Sequence, residues 1–151
     1  MGSPIPLAVI FGCAGSQLTL KEQALFKKTN PFGLILFERN CFEPDQVRNL
    51  TGHFRDLVGR SNAPVFIDQE GGRVTRLKPP SWRFPPPAKR FADLALAKNE
   101  EVARQAIHLN SCLIAEELKA IGINVNCAPV LDILTDDADP IIGDRALGNS
   151  A

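Results

Sequence analysis

The sequence lacks the features by which several protein classes are recognised. Lysine and arginine together number 17, as do aspartate and glutamate, so the chain has no net charge and no basic field for nucleic acid. No apolar run approaches the roughly 20 residues that cross a bilayer. The N-terminus also lacks the basic start and continuous apolar segment of a secretory signal. We therefore expect a globular protein of the cytoplasm that binds neither nucleic acid nor membrane.

Cofactor and metal motifs are missing as well. The four cysteines are widely spaced and form no C-x-x-C pair, so we expect buried thiols and neither disulfides nor a metal site. These cysteines are Cys13, Cys41, Cys112 and Cys127. Gly71-Gly72 matches neither a dinucleotide-binding fingerprint nor a P-loop. His53 and His108 fall within predicted helices, and no serine lies in a nucleophile-elbow sequence, so no Ser-His-Asp triad and no cofactor are expected.

Local signals predict four strands and three helices. The predicted strands are Leu7–Phe11, Gly33–Phe37, Ala63–Asp68 and Ile123–Leu131. The predicted helices run from a capping box at Thr19 to Thr29, from Pro44 to Gly59, and from Asn99 to Gly122. The last helix has apolar residues at the period of one buried face, namely Val102, Ala106, Leu109, Leu113 and Leu118. We interpret the proline-rich segment Pro79–Pro87 as an ordered loop over a site, because the ~60 residues after it are too few for a typical domain.

The alternation of short apolar strands with helices predicts an α/β fold with a parallel sheet, either closed as a barrel or open and doubly wound. In both architectures the functional site lies at the carboxyl ends of the strands. A complete eight-stranded barrel needs ~250 residues, so 151 residues supply about half of one.

The segment Val65–Arg76 is the most informative part of the chain, because an apolar run ends there in acids, glycines and arginines. Asp68 and Glu70 are two positions apart, so on a strand they share a face, about 6.5–7 Å from each other. Such a pair fits the acid and base of a glycosidase. It fits equally a ligand-binding role, including a divalent cation, or a structural role at the end of the strand.

Basic residues accompany these acids. The planar guanidinium groups of Arg73 and Arg76 suit vicinal hydroxyls or carboxylates. A second polar cluster, Ile142–Gly148, contains Asp144 and Arg145 near the end of a strand-like segment, and Asp132 follows the fourth predicted strand. Each residue alone fits an ordinary surface ion pair, whereas the two clusters together favour a carbohydrate-binding site.

At these residues the chain resembles glycoside hydrolase family 3, and within it the bacterial β-N-acetylglucosaminidases of cell-wall recycling. The resemblance rests on five segments in the family's order and with similar spacing. They are Gly33–Asn40, Ile67–Arg76, Ala115–Gly122, Ala128–Asp132 and Ile142–Arg145. The segment Asp-Gln-Glu-Gly-Gly-Arg followed by Gly-Asp-Arg is specific as a combination, while either motif alone is weaker.

The resemblance implies a (β/α)8 TIM barrel, of which residues 1–151 are the N-terminal half within a single catalytic domain. It implies hydrolysis of terminal N-acetylglucosamine from muropeptide fragments with retention of configuration. Asp68 and Arg145 are implied to hold sugar hydroxyls, with Arg76 supporting that pocket. The implied outer supports are Glu70, Arg73, Asp132 and Asp144. No segment here matches the family's nucleophilic aspartate or its His-Asp acid/base pair, so we expect the chain alone to be inactive.

Three alternatives stay open at this point. One is a β-glucosidase of the same family, and another is a non-catalytic sugar-binding or interaction module that kept the pocket and lost the chemistry. The third is a metal-dependent α/β hydrolase that uses Asp68, Glu70 and Asp132, although it lacks the histidine ligands expected at strand ends. The expected partner is a small carbohydrate, and the sequence predicts no oligomeric state.

Overall fold

The computed structural model describes residues 5–97 and 99–149. Strands and helices alternate along most of this part of the chain, and two 3-10 helices cover Glu38–Asn40 and Gly143–Arg145. The strands are β1 (Leu7–Phe11), β2 (Pro31–Leu36), β3 (Val65–Ile67) and β4 (Val125–Asn126). The helices are α1 (Leu20–Thr29), α2 (Pro44–Val58), α3 (Lys89–Ala97) and α4 (Glu100–Ala120). No helix of the described residues is long and apolar enough to cross a membrane.

The four strands form one parallel sheet in the order β1-β2-β3-β4. This confirms the prediction of an α/β fold. The order also separates the two architectures left open above, because a doubly wound sheet reverses its strand order and this sheet does not. Four of the eight strands of a (β/α)8 barrel are present, so the sheet is an open half of that barrel.

The chain divides into two compact units. The first unit comprises Met1–Ile67 and Leu118–Asn126, and it contains the sheet, α1 and α2. Its core is apolar and aromatic, with the Phe26 ring stacked on Phe11 at 5.7 Å and edge-on to Phe54 at 5.9 Å between ring centroids. Phe26 and Phe54 are almost fully buried, so these rings hold α1, α2 and β1 together.

Local signals decide where the first two helices begin and end. Thr19 and Glu22 form the predicted capping box, and Asn30 ends α1 in the left-handed conformation. Pro44 starts α2 and Gly59 ends it at φ +63. These boundaries confirm the predictions.

The strands of the first unit differ in extent from the prediction. β2 begins at Pro31, two residues early, because a proline without an N–H is tolerated as the first residue of a strand. β3 is only Val65–Ile67, and β4 is Val125–Asn126 instead of Ile123–Leu131. β4 pairs with β3 through two residue pairs only, and β3 itself ends at Ile67. The strand therefore ends at Asn126, although the alternating apolar pattern continues beyond it.

The second unit comprises Asp68–Glu117 and Cys127–Ala151, and it contains α3 and most of α4. The helix α3 was not predicted. The predicted start of the next helix is confirmed, because the Val102 amide donates to the Asn99 side chain at 2.8 Å.

The predicted buried face of α4 is wrong for three of its members. Val102, Leu109 and Leu113 are 42%, 63% and 51% exposed, while Ala103 and Ile114 are buried. Two apolar stripes lie side by side on this helix, and a period of 3.6 residues does not say which of them is covered.

The prediction of buried thiols holds for half of the cysteines. Cys13 and Cys41 are buried, whereas Cys112 and Cys127 are exposed, and all four are free thiols. Cys127 lies directly after the short strand β4, where the chain leaves the sheet.

Candidate active site

The loop that follows β3 is closed by a buried glutamine. Gln69 is 1% exposed, and its side-chain oxygen accepts hydrogen bonds from the amides of Arg76 at 2.9 Å and Leu77 at 3.1 Å. Its side-chain nitrogen donates to the Leu77 carbonyl at 3.2 Å. An isolated bridge between Gly71 and Val74 tightens the turn. The loop Gln69–Leu77 is therefore held at its base by one side chain, and the charged residues project from it.

Two glycines let the proline-rich segment pack against this loop. Gly71 has φ +106, and a Cβ there would lie 2.2 Å from the Pro86 carbonyl oxygen. Gly72 has φ +56, and its amide donates to the Pro85 carbonyl at 2.8 Å. These approaches require glycine at both positions. They also show that Pro79–Pro87 is an ordered loop and not a linker.

Arg145 and Glu70 form a bidentate ion pair within the second unit. Nε of Arg145 donates to Glu70 Oε2 at 2.9 Å, and Nη2 donates to Oε1 at 2.8 Å. The two side chains are 22% and 10% exposed. A bidentate pair of this kind fixes both the position and the plane of the guanidinium group. The hydrogen bonds use Nε and Nη2, so Nη1 is not part of the pair.

Arg76 pairs with the other carboxylate of the loop. Its Nη2 donates to Asp68 Oδ2 at 2.9 Å, and each side chain is 25% exposed. The buried Nε of Arg76 and the buried hydroxyl of Thr75 have no hydrogen-bond partner within the described part of the chain. Arg76 thus anchors Asp68 through one oxygen, and the carboxylate is still partly exposed.

A third pair joins the loop to the second polar cluster. Nε of Arg73 donates to Asp144 Oδ1 at 2.7 Å, and Nη2 of Arg73 donates to the carbonyls of Ile141 and Ile142. Gly143 has φ +42 beside this guanidinium, as the start of the 3-10 helix Gly143–Arg145. Arg73 therefore holds the turn from which Arg145 projects.

The acidic residues of the site shift the pKa values of Arg145 and Cys127. The hydrogen bond to Glu70 raises the pKa of Arg145, and the charges of Glu70, Asp132 and Asp68 raise it further, so the guanidinium stays protonated. Partial desolvation of its sulfur raises the pKa of the exposed Cys127 thiol above its ordinary value, as do the charge of Asp68, a hydrogen bond to Asp68 and the charge of Glu70. Asp132 is exposed, but it lies close enough to act on Arg145.

The structure brings the predicted site residues together in one unit. These residues are Asp68, Glu70, Arg73, Arg76, Asp132, Asp144 and Arg145. Two local expectations are wrong: Asp68 and Glu70 follow β3 and do not lie on it, and Asp144-Arg145 lies in a 3-10 helix and not near a strand end.

Sequence reasoning missed two residues of this region, Gln69 and Cys127. Gln69 had a signal, since it continues the every-second-residue burial of Val65 and Ile67. Cys127 had a weaker one, since it lies within the predicted strand Ile123–Leu131.

The three pairs contain three arginines and three carboxylates, so the site is suited to orient a polar ligand that carries little charge. Neutral hydroxyl groups can accept from the guanidinium groups and donate to the carboxylates. No group of three or more histidine, cysteine, aspartate or glutamate side chains suited to a metal ion occurs among residues 5–97 and 99–149. The metal-dependent alternative therefore gains no support from the geometry.

One protein family matches most of this chain. Residues 10–151 match the model described as the glycosyl hydrolase family 3 N terminal domain. The chain belongs to glycoside hydrolase family 3. Among curated relatives, the beta-hexosaminidase of Methylococcus capsulatus is 34% identical over 141 residues, which are 93% of this chain and 40% of the relative. The beta-hexosaminidase of Alkalilimnicola ehrlichii is 36% identical over 138 residues, which are 91% of this chain and 38% of the relative.

Two solved structures have the same fold over most of this chain. Native NagZ from Neisseria gonorrhoeae superposes with a TM-score of 0.87 at 28% identity, over 96% of this chain and 42% of that one. A family 3 beta-N-acetylglucosaminidase from Paenibacillus superposes with a TM-score of 0.75 at 31% identity, over 92% of this chain and 26% of that one. The chain therefore spans about two fifths of the length of the curated relatives that it matches.

Proposed function

We propose that this chain forms part of the sugar-binding site of a retaining β-N-acetylhexosaminidase, which removes terminal N-acetylglucosamine from muropeptides or related glycosides in the cytoplasm. The observation that supports this most strongly is the bidentate pair of Arg145 with Glu70. This pair fixes the guanidinium group of Arg145, which lies in the same unit as the partly exposed carboxylate of Asp68. Family membership and relatives named beta-hexosaminidase support the class of reaction.

The sugar specificity is proposed from a related structure. NagZ from Neisseria gonorrhoeae, 27% identical with a TM-score of 0.86, was solved in complex with N-trifluoroacetyl-D-glucosamine. An N-acyl amino sugar is neutral and presents hydroxyls on adjacent carbons. In this chain Asp68 accepts hydrogen bonds from such hydroxyls, and Arg145 donates to them through Nη1. Arg76 keeps the Asp68 carboxylate in place by its 2.9 Å hydrogen bond.

The carboxylates of this site position the substrate and do not cleave it. A retaining glycosidase needs one carboxylate that attacks the anomeric carbon and one group that donates and then withdraws a proton. Both oxygens of Glu70 accept from Arg145, and Asp68 and Asp144 each accept from an arginine. Ion pairing of this kind favours binding and orientation, which lower the barrier by holding the sugar for attack. The proposal therefore assigns the nucleophile and the acid/base to residues outside this set.

The test is the substitution Arg145→Ala in the complete protein, with a chromogenic β-N-acetylglucosaminide as substrate. Loss of a guanidinium–hydroxyl contact of about 2–3 kcal/mol predicts a fall in kcat/KM of roughly 30- to 200-fold, mostly through KM. The matched control is Arg104→Ala, because Arg104 is 72% exposed on α4. An unchanged kcat/KM in the Arg145→Ala variant would show that Arg145 does not bind the sugar.

Substrate comparison separates the alternatives. Preference for a chromogenic β-glucoside over the β-N-acetylglucosaminide in the complete protein would favour a β-glucosidase. Binding of N-acetylglucosamine without hydrolysis of either substrate would favour a non-catalytic module. Residues 1–151 alone are expected to hydrolyse neither compound, and hydrolysis by this chain would assign chemistry to Asp68 or Glu70.

A further inference from the structure

The register of the sheet brings a thiol next to Asp68. Strands β3 and β4 pair in parallel, with Phe66 opposite Val125 and Ile67 opposite Asn126. The next residue on one chain segment is Asp68, and on the other it is Cys127. Neighbouring strands lie about 4.8 Å apart, so the first residues after such a pair stay within reach of each other's side chains.

The protonation state of the thiol suits a donor. Partial desolvation of the sulfur, the charge of Asp68, the hydrogen bond to it and the charge of Glu70 all raise the pKa of Cys127 above its ordinary value of 9.0. The thiol is therefore uncharged at neutral pH and carries its proton. A carboxylate beside an S–H group acts as the acceptor. The contact is thus a hydrogen bond from Sγ to Asp68 and not a repulsion between a thiolate and a carboxylate.

Two donors consequently approach the same carboxylate. Arg76 donates through Nη2 to Oδ2 of Asp68 at 2.9 Å, and the thiol of Cys127 donates as the second group. One hydrogen bond alone leaves a carboxylate free to turn about its terminal torsion, which is broad for aspartate. A second donor restricts that rotation and so restricts where the carboxylate can accept from a ligand.

We propose that Cys127 is a positioning residue for sugar binding, and that its thiol holds the Asp68 carboxylate in the orientation that accepts a sugar hydroxyl. This inference rests on the proposed function of Asp68. Cys127 acts through Asp68 and takes no part in bond cleavage. Its exposure also makes it open to alkylation, in which sulfur forms a bond to the methylene carbon of iodoacetamide, iodide leaves and the thiol proton passes to solvent.

The contact itself is tested without any substrate. The complete protein and its Asp68→Asn variant are treated with iodoacetamide between pH 7 and pH 11, and alkylation of each cysteine is followed by peptide mass spectrometry. Replacing the carboxylate removes a charge that raises the pKa, so the alkylation midpoint of Cys127 is expected to move to lower pH in the variant. Cys112, the other exposed thiol, serves as an internal control with an unchanged midpoint. The same midpoint for Cys127 in both proteins would overturn the proposal, whether or not the protein hydrolyses sugars.

The positioning role is tested by kinetics in the complete protein. Cys127→Ala removes the donor and is expected to raise KM for the β-N-acetylglucosaminide about three- to tenfold, with a smaller change in kcat. Cys127→Ser retains a donor and is expected to restore KM to within about twofold, whereas Cys112→Ala changes neither constant. Equal impairment of the alanine and serine variants, or no effect of either, would overturn the role. If the parent protein is inactive but the alkylation midpoint of Cys127 shifts as expected, the result counts against the proposed glycosidase function alone. The variants are then compared by their Kd for N-acetylglucosamine instead of KM.

Discussion

The stability of the loop after β3 depends on one side chain, and Gln69→Leu tests this dependence. Leucine has nearly the same volume as glutamine but no polar atoms. The substitution leaves three backbone groups without their side-chain partner, namely the amides of Arg76 and Leu77 and the carbonyl of Leu77. An unpaired buried polar group costs about 1–3 kcal/mol, so the three together cost about 3–9 kcal/mol. Burial of leucine returns about 2 kcal/mol. The expected loss in the free energy of unfolding is therefore about 1–7 kcal/mol, with a central value of about 4 kcal/mol.

The measurement is urea unfolding followed by the fluorescence of the single tryptophan. Trp82 is 9% exposed and belongs to the same unit as Gln69, so its emission reports on this part of the chain. The matched control is Gln105→Leu, because Gln105 is exposed on α4 and its side chain donates to the Glu101 side chain at 2.8 Å. That control is expected to change the free energy by less than about 0.5 kcal/mol. A loss below about 1 kcal/mol for Gln69→Leu would refute the reasoning, since it would mean that other groups replace all three hydrogen bonds.

Three further predictions concern backbone, thiol and core. Gly71→Ala is expected to lower the free energy of unfolding by at least about 2 kcal/mol, because alanine at φ +106 is strained and its Cβ meets a carbonyl oxygen at 2.2 Å. Gly15→Ala serves as the control in the same urea titration, because Gly15 has open space around it. Burial first, and then the charge of Glu22, raise the pKa of Cys13 to about 11. The stability that Cys13 contributes is therefore complete below pH 9 and is lost as the pH rises towards 11. Between pH 8 and pH 10.5 the free energy of unfolding should fall more in the parent than in Cys13→Ala, and equal falls would contradict this. Phe54→Ala is expected to cost about 3–5 kcal/mol because Phe54 is fully buried, and thermal unfolding should show a lowered Tm that an exposed-site change does not produce.

The parts of the fold that the sequence predicted well are those set by neighbours along the chain. The capping box at Thr19 and Glu22 and the stops at Asn30 and Gly59 depend on residues at most four positions apart, so the bounds of α1 and α2 could be derived. The parts that were wrong depend on distant partners. The length of β4 is set by pairing with β3 across some 59 positions, and no local pattern contains that information.

The candidate site divides in the same way. Its residue types were visible as two polar clusters, and the structure places them in one unit. Which acid pairs with which arginine was not visible, because Glu70 and Arg145 are 75 positions apart. The supporting roles expected for Glu70, Arg73, Asp132 and Asp144, and the sugar contacts expected for Asp68, Arg76 and Arg145, stay predictions until a ligand is bound.

The separation of Glu70 from Arg145 also bears on the order in which the molecule folds. The bonds of Gln69 close a loop of eight positions, whereas the Glu70–Arg145 and Arg73–Asp144 pairs span 75 and 71 positions. At a synthesis rate of about 5–20 residues per second, the acidic loop leaves the ribosome roughly 4–15 s before its arginine partner does. The short loop can therefore form while the chain is still growing, and the pocket is completed only when the second cluster arrives. A pause or a mutation that delays residues 141–148 would prolong the time during which this loop exposes unpaired charges.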